Sequence, residues 1–179
     1  MYTSYYVRSG CVKLSLTQEN LSRALGAVGR IVSSRSTLPV LSNVLLTAED
    51  NQLRLSATNL EIGIHYVVRG KIDEAGTLTV PARLFTDFVG SLPSGNIELE
   101  SQDLNLQVRT QHYQSHLNGI SAEEYPLIPR VSGTPLMTLP SPDIKQALQQ
   151  VVVAASLDEA RPVIKRVRKI IFKPIKLEI

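Results

Sequence analysis

The side chains best suited to bind a ligand are two arginines on the first predicted helix. Arg23 and Arg30 are seven residues apart, so at about 100° per residue they lie on the same side of a helix. The opposite side carries an apolar stripe formed by Leu21, Leu25, Val28 and Val32. If that stripe packs on a sheet, both guanidinium groups point outward, where they can hold phosphate oxygens. The same pattern also describes two solvated arginines on any surface helix, and the sequence alone leaves both interpretations open.

A third candidate is Arg83, which falls in the first turn of the second predicted helix. The backbone N–H groups at the start of a helix are unpaired and favour an anion such as phosphate. Asp87 follows four residues later, so the alternative is a surface ion pair, which contributes only about 0.2–0.5 kcal/mol. Arg83 is therefore either an anion contact or half of an ordinary surface pair.

The basic charge of the chain is concentrated near its carboxyl end. Residues 1–160 carry 12 basic and 15 acidic side chains, whereas residues 161–179 carry seven basic and one acidic. The net charge of +3 is therefore no argument for nucleic-acid binding by the whole molecule. The basic segment has two interpretations of its own. It binds nucleic acid or anionic lipid by charge alone, or it is an edge strand whose lysines and arginines discourage aggregation.

The remaining polar side chains form no pattern typical of a metal site or an enzyme. His112 and His116 share one face of a predicted strand, but their Cα atoms would be about 13 Å apart, too far to hold one metal. The adjacent carboxylates at 73–74 and 123–124 fall in turn-like segments, where solvated loops are the common case. The sequence contains no phosphate-binding glycine loop and no G-x-S-x-G motif. We therefore expect no catalytic residue, metal or cofactor.

Cysteine content and hydropathy indicate the compartment. Cys11 is the only cysteine, so the chain has no internal disulfide framework, which suits a reducing cytosol. No apolar run approaches the roughly 18–20 residues that a membrane helix needs. The sequence thus predicts a cytoplasmic protein without a membrane partner.

Hydrophobic periodicity predicts an α+β fold built from two β-α-β-β-β halves within residues 12–121. In the first half, Thr17 is expected to cap the helix, which runs to about Ser33. Pro81 opens the helix of the second half. The predicted strands are 12–16, 38–48, 53–57 and 60–70 in the first half, then 77–80, 96–101, 104–110 and 112–120 in the second.

A second copy of the pattern begins late in the chain, at an offset of 123 residues. "STLPVLSNV" at 36–44 corresponds to "EARPVIKRV" at 159–167, and apolar residues upstream agree without a gap. The intervening residues 122–135 are rich in Pro and Gly and are predicted to be a linker. We therefore divide the chain into an extension (1–11), a first domain (12–121), the linker (122–135) and an incomplete second domain (136–179).

These segments resemble the bacterial DNA polymerase III beta subunit, the sliding clamp. The resemblance covers residues 12 to about 164. It depends on "STLPVLSNVLL", "LSATNLEIGI", "TVPARLF", "GSLPSGNIEL" and "SLDEARPV", in this order and spacing. That family has three domains per chain, each made of two such halves, and two chains close a ring around duplex DNA. The resemblance implies the DNA-clamp fold and a non-catalytic processivity subunit of the replicative polymerase.

The family also implies partners and site residues. The implied partners are double-stranded DNA, the DNA polymerase III alpha subunit, the clamp loader and a second clamp chain. Arg35, in the loop "SSRST", and Arg83 match positions that contact DNA in the family, and Arg161 matches another such position. "HYQSHLNGI" matches the edge strand that meets the third domain of the other chain, so Ser115 and Leu117 are expected in that contact.

Several features depart from the family pattern. Residues 1–11 precede its usual first strand, and residues 165–179 are more basic than expected. The third domain is missing, so we expect a truncated form that does not close the ring alone. The alternative is an inactive clamp fragment, or a charge-driven nucleic-acid-binding module that uses the basic carboxyl-terminal segment. In the second copy, Gln146 and Val153 replace Arg23 and Arg30, so the basic pattern is not repeated.

Overall fold

The structure is a computed structural model that describes residues 11–32, 38–128 and 140–152. The chain divides into two compact units, residues 1–129 and 130–179. In the first unit the described residues form nine strands and two α-helices. The strands are β1 (Lys13–Thr17), β2 (Asn43–Glu49), β3 (Gln52–Thr58), β4 (Gly63–Arg69), β5 (Lys71–Glu74), β6 (Gly76–Pro81), β7 (Asn96–Gln102), β8 (Asn105–Arg109) and β9 (Gln114–Asn118). The helices are α1 (Gln18–Val28) and α2 (Ala82–Ser91).

The first strand of each half lies in the sheet of the other half. β1 pairs antiparallel with β7, and β6 pairs antiparallel with β2. The result is a five-stranded sheet in the order β5-β1-β7-β8-β9 and a four-stranded sheet in the order β4-β3-β2-β6. The prediction of two β-α-β-β-β halves is confirmed, and the halves are interlocked rather than side by side.

Both helices and the inner faces of both sheets share one hydrophobic core. Leu21, Leu25 and Val28 of α1 are fully buried, as are Phe85 and Val89 of α2. Burying one such side chain stabilises the fold by about 1.5–3 kcal/mol. The predicted apolar stripe of α1 is therefore the face that packs against the core, and it leaves the other face of the helix exposed.

The two sheets meet at a seam between β6 and the residues after β9. Thr79 and Ile120 exchange backbone hydrogen bonds of 3.3 and 3.1 Å, and the Thr79 hydroxyl also donates to the Ile120 carbonyl at 2.7 Å. The Asn43 amide donates to the same hydroxyl at 3.1 Å. Gly119 makes this approach possible, because a Cβ there would lie 2.1 Å from the Thr79 carbonyl oxygen.

A short segment, Ser121–Ile128, covers part of the outer face of the four-stranded sheet. Tyr125 is buried there with Val40 and Leu41 in a second apolar cluster. Its hydroxyl accepts a hydrogen bond from the Thr58 backbone N–H at 3.3 Å and lies 3.3 Å from the Asn43 carbonyl oxygen. Residues 122–128 of the predicted linker therefore pack on the first unit.

The structure corrects four details of the sequence prediction. The predicted strand 38–48 begins only at Asn43, because Pro39–Ser42 forms a 3₁₀ turn with the proline in its first positions. α1 ends at Val28 rather than near Ser33. Thr17 makes no side-chain cap, and the Gln18 N–H instead donates to the Gly95 carbonyl at 2.8 Å. β5 was missed, because four mostly exposed residues give little periodicity.

In the second unit the structure describes residues 140–152, which contain helix α3 (Ser141–Val152). Ile144 and Leu148 are half-buried, and they correspond to the fully buried Leu21 and Leu25 of α1 at the offset of 123 residues. The helix that the repeat predicts is therefore present. The strand predicted from Pro162 lies outside the described residues.

The seam yields a prediction for Gly119. Gly119→Ala should lower the free energy of unfolding by roughly 1–3 kcal/mol, because the new methyl group would clash with backbone oxygens of Thr79 and Leu104. Gly26→Ala is the matched control, since nothing lies within 4 Å of its Cβ position. At this exposed position within α1, the change from glycine to alanine should raise the free energy of unfolding by about 0.5–1 kcal/mol. Chemical denaturation measures both, and equal effects would contradict the close approach at the seam.

Burial raises the pKa of Tyr125 above its ordinary value of 10.0, while the hydrogen bond from the Thr58 N–H acts in the opposite direction. In the unfolded chain the phenol ionises near pH 10, whereas in the fold it stays protonated to higher pH. Its contribution to stability is thus complete below about pH 10 and is lost as the pH rises through the folded pKa.

Tyr125→Phe should therefore reduce the alkaline loss of stability seen in the wild-type chain. At neutral pH the variant should be about 1–2 kcal/mol less stable, because the buried Thr58 N–H loses its acceptor. Urea denaturation at neutral pH and above about pH 10 measures both effects. A variant whose stability declines with pH as steeply as that of the wild type would show that Tyr125 is not the titrating group.

Candidate nucleic-acid interface

The exposed side of α1 and the turn after it carry two of the predicted arginines. Arg23 and Arg30 are both exposed, while the opposite side of the helix is buried. Because α1 ends at Val28, Arg30 lies in the turn that follows and not on the helix itself. Both side chains are directed away from the core, as the sequence predicts. The regular helical spacing that led to it applies only to Arg23.

On α2, Arg83 lies in the first turn with 89% of its side chain exposed. Its Nε atom is 3.9 Å from Oδ2 of Asp87, whose side chain is 70% exposed. Both sequence interpretations are thus compatible with the geometry: the guanidinium faces solvent at a helix start, and an acid is at the edge of ion-pair distance. A pair so exposed contributes little to stability.

The two helices carry opposite charge order. Counted from the last residue of the preceding strand, Glu19 of α1 occupies the position of Arg83 of α2, and Arg23 occupies the position of Asp87. In α1 the acid is therefore nearer the start of the helix, which is the order that the helix dipole favours. In α2 the arginine is nearer the start, which is the opposite order. The two exposed faces together bear three arginines and two acids: Arg23, Arg30 and Arg83 against Glu19 and Asp87.

Gln18 ties the two helices together, a role that the sequence analysis missed. Its side chain is buried, and its Nε2 donates to the Val89 carbonyl near the end of α2 at 2.8 Å. Its backbone N–H is held by Gly95, in the loop after α2. The only available signal was a polar residue next to an apolar stripe, which does not identify a partner 71 residues away.

Two predicted DNA contacts lie outside the described residues. Arg35 falls in the gap at 33–37, and Arg161 follows the end of the described part of the second unit. In that unit, Gln146 is exposed on α3, at the position that corresponds to Arg23, and Val153 lies outside the described residues. The candidate interface residues that lie within the described ranges are therefore Arg23, Arg30 and Arg83.

The predicted subunit contact falls on β9, the last strand of the five-stranded sheet. Leu117 is only 8% exposed and belongs to the core, so its side chain faces inward and its backbone is the part that lies at this edge. Ser115 lies on the same inward face and is half-buried. An interface at this edge would therefore use the backbone of β9 and its outward residues, such as Gln114 and His116.

No helix in the described ranges is long and apolar enough to cross a membrane. Among residues 11–32, 38–128 and 140–152, no group of three or more His, Cys, Asp or Glu side chains could hold a metal ion. His112 was predicted to share a strand with His116, but it precedes β9. The Nε2 atoms of His116 and Gln114 lie 3.4 Å apart.

Comparison with known proteins shows the same fold in sliding clamps. The N-terminal domain of the DNA polymerase III beta subunit matches residues 12–129. The beta sliding clamp of Synechocystis sp. is 36% identical over 162 residues, which make up 86% of this chain and 41% of that protein. The beta sliding clamp of Bacillus subtilis is 27% identical over the same length of alignment, covering 43% of that protein. The chain thus spans about two-fifths of the length of these curated relatives.

Solved structures agree. The crystal structure of the Bacillus subtilis DNA polymerase sliding clamp superposes with a TM-score of 0.79 at 26% identity, covering 86% of this chain and 43% of that one. The Caulobacter crescentus beta sliding clamp gives a TM-score of 0.76 at 30% identity, covering 84% and 41%. The interlocked sheets, the paired helices and the match over residues 12–129 lead to one conclusion: the chain belongs to the DNA polymerase III beta subunit family and has the fold of its N-terminal domain.

Proposed function

We propose that this chain acts in bacterial chromosomal replication as part of a sliding clamp that encircles duplex DNA and tethers DNA polymerase III for processive synthesis. The observation that supports it most is the family match over residues 12–129, a continuous stretch that contains both sheets and both helices. The function needs no chemistry of its own, so the chain acts as a non-catalytic processivity subunit.

The exposed sides of α1 and α2 suit a surface along which DNA slides. Arg23, Arg30 and Arg83 offer positive charge to phosphates without any arrangement for reading bases. Two acids on the same faces reduce the net charge to one unit. Because affinity for duplex DNA rises with the number of phosphates neutralised, such a face should bind weakly and release easily.

The implied partners remain those of the family. They are double-stranded DNA, the DNA polymerase III alpha subunit, the clamp loader and a second clamp chain, all in the cytoplasm. The chain spans two-fifths of its curated relatives, so its share of these contacts is that of the first domain and part of the second. We also propose the domain limits inferred from the sequence, with the first domain extended to Ile128 because Tyr125 packs on it.

For the subunit contact we propose the outer edge of β9. Within the described residues this strand pairs with β8 on one side, and beyond its end Ile120 forms an isolated bridge to Thr79 of β6. An unpaired strand edge is a template for a strand of another chain. Ser115, with Gln114 and His116, would flank that contact.

A second candidate function follows from the charge of residues 161–179, which carry seven basic side chains and one acid. Such a segment binds nucleic acid by charge alone, without a ring. The two functions differ in their dependence on DNA topology, since a ring is released only at an end, whereas a charged segment dissociates anywhere.

The test is a chimera in which residues 12–128 replace the corresponding domain of the Bacillus subtilis beta sliding clamp. After loading on nicked circular DNA, the chimera should stay bound at high salt and be released when the circle is cut. Gel filtration and pull-down on immobilised circles measure retention. Release that is equally fast from circular and linear DNA would contradict the proposal, provided that circular dichroism shows a folded chimera.

Arg83→Gln in the full 179-residue chain should weaken binding to a short fluorescent duplex. The slope of log K against log salt should become shallower by up to about 0.9, the value for one complete phosphate contact. Arg109→Gln is the matched control, because Arg109 is exposed on the outer face of the five-stranded sheet, away from both helices. Equal losses in the two variants would argue against an interface on α2.

A further inference from the structure

The order of the charges of Arg83 and Asp87 along α2 is unfavourable for the stability of that helix. Arg83 is in the first turn of α2, where the positive end of the helix dipole disfavours a cation, and that turn contains no acid. Asp87 is four residues later, so the order of charges is the less stabilising one for an i,i+4 pair. The contact is long, at 3.9 Å, and both side chains are largely exposed.

The equivalent positions on α1 carry the two charges in the favourable order. Glu19 stands in the first turn of α1, and Arg23 follows four residues later. The fold thus accommodates either order, and helix stability does not explain the reversed one on α2. The reversed order does have one physical effect, which is to place a carboxylate within reach of an arginine that faces solvent at a helix start.

We propose that Asp87 is a positioning residue that limits the grip of Arg83 on the DNA backbone, an inference that rests on the proposed function. A phosphate that approaches the Arg83 guanidinium must displace or repel the Asp87 carboxylate, because the two anions compete for the same cation. The contact therefore forms weakly and breaks easily. On α2 the acid sets the strength of the contact, as a sliding surface requires.

Removing the carboxylate should strengthen DNA binding. In the full chain, Asp87→Asn should raise the affinity for a short fluorescent duplex by roughly two- to fivefold at low ionic strength. The salt slope should steepen by up to about 0.9, because Arg83 then neutralises a phosphate more completely. Fluorescence anisotropy over a salt series measures both quantities.

Glu98→Gln is the matched control for net charge. Glu98 is exposed on β7, on the face of the sheet opposite the core, and its change alters the net charge of the chain by the same unit. It should leave affinity nearly unchanged. If Glu98→Gln and Asp87→Asn strengthen binding equally, the effect is one of overall charge and the proposal is wrong.

A double variant separates this inference from the proposed function. In the Arg83→Gln background, Asp87→Asn should have little effect, because Asp87 acts through Arg83. If Arg83→Gln weakens binding but Asp87→Asn brings no gain, the inference fails and the proposed interface stands. If Arg83→Gln itself changes nothing, the interface on α2 fails. Asp87→Glu should keep wild-type affinity and slope, and a gain there would also overturn the proposal.

Discussion

The structure of the first unit depends on the exchange of β1 and β6 between the two halves. Each of these strands hydrogen-bonds to a sheet whose other strands come mostly from the other half, so neither half can bury its apolar face alone. The seam at Thr79 and Ile120 then links the sheets at one edge, and Gly119 permits the contact because a side chain there would meet backbone oxygens. Strand exchange thus joins two similar halves into one cooperative unit.

This constraint also determines what the helices can offer to a partner. α1 and α2 each follow an exchanged strand directly, and the start of α1 lies beside the end of α2, where the Gln18 side chain donates to the Val89 carbonyl. Their apolar faces fill the common core, which leaves their polar faces free. Those faces carry Arg23 and Arg83. The outer face of the five-stranded sheet instead carries paired polar residues such as Lys13 and Glu100, 3.5 Å apart.

Periodic segments could be predicted from sequence, and contacts distant in the chain could not. Leu21, Leu25 and Val28 repeat at helical spacing, so the buried face of α1 and the outward direction of Arg23 followed from local pattern. The partner of the Gln18 N–H is a backbone carbonyl in a distant loop, which no pattern indicates. An exchanged strand has the same alternation of apolar and polar residues as a strand that pairs within its own half. The sequence alone therefore cannot distinguish the two arrangements. Leu117 lies in the predicted edge strand, but the inward direction of its side chain depends on which face of that strand packs on the core.

The charges on the exposed faces of the helices suit a weak contact with DNA. A surface that holds DNA firmly needs many cations, because each neutralised phosphate adds to the affinity. A surface along which DNA must move needs the opposite: few cations, exposed enough to stay hydrated, with anions nearby that shorten each contact. α1, the turn after it and α2 together bear three arginines and two acids on this surface, and every one of these side chains is exposed to solvent. In a clamp the enclosure by the ring, and not the strength of these contacts, would keep the protein on DNA. Weak binding by the domain is therefore compatible with processivity.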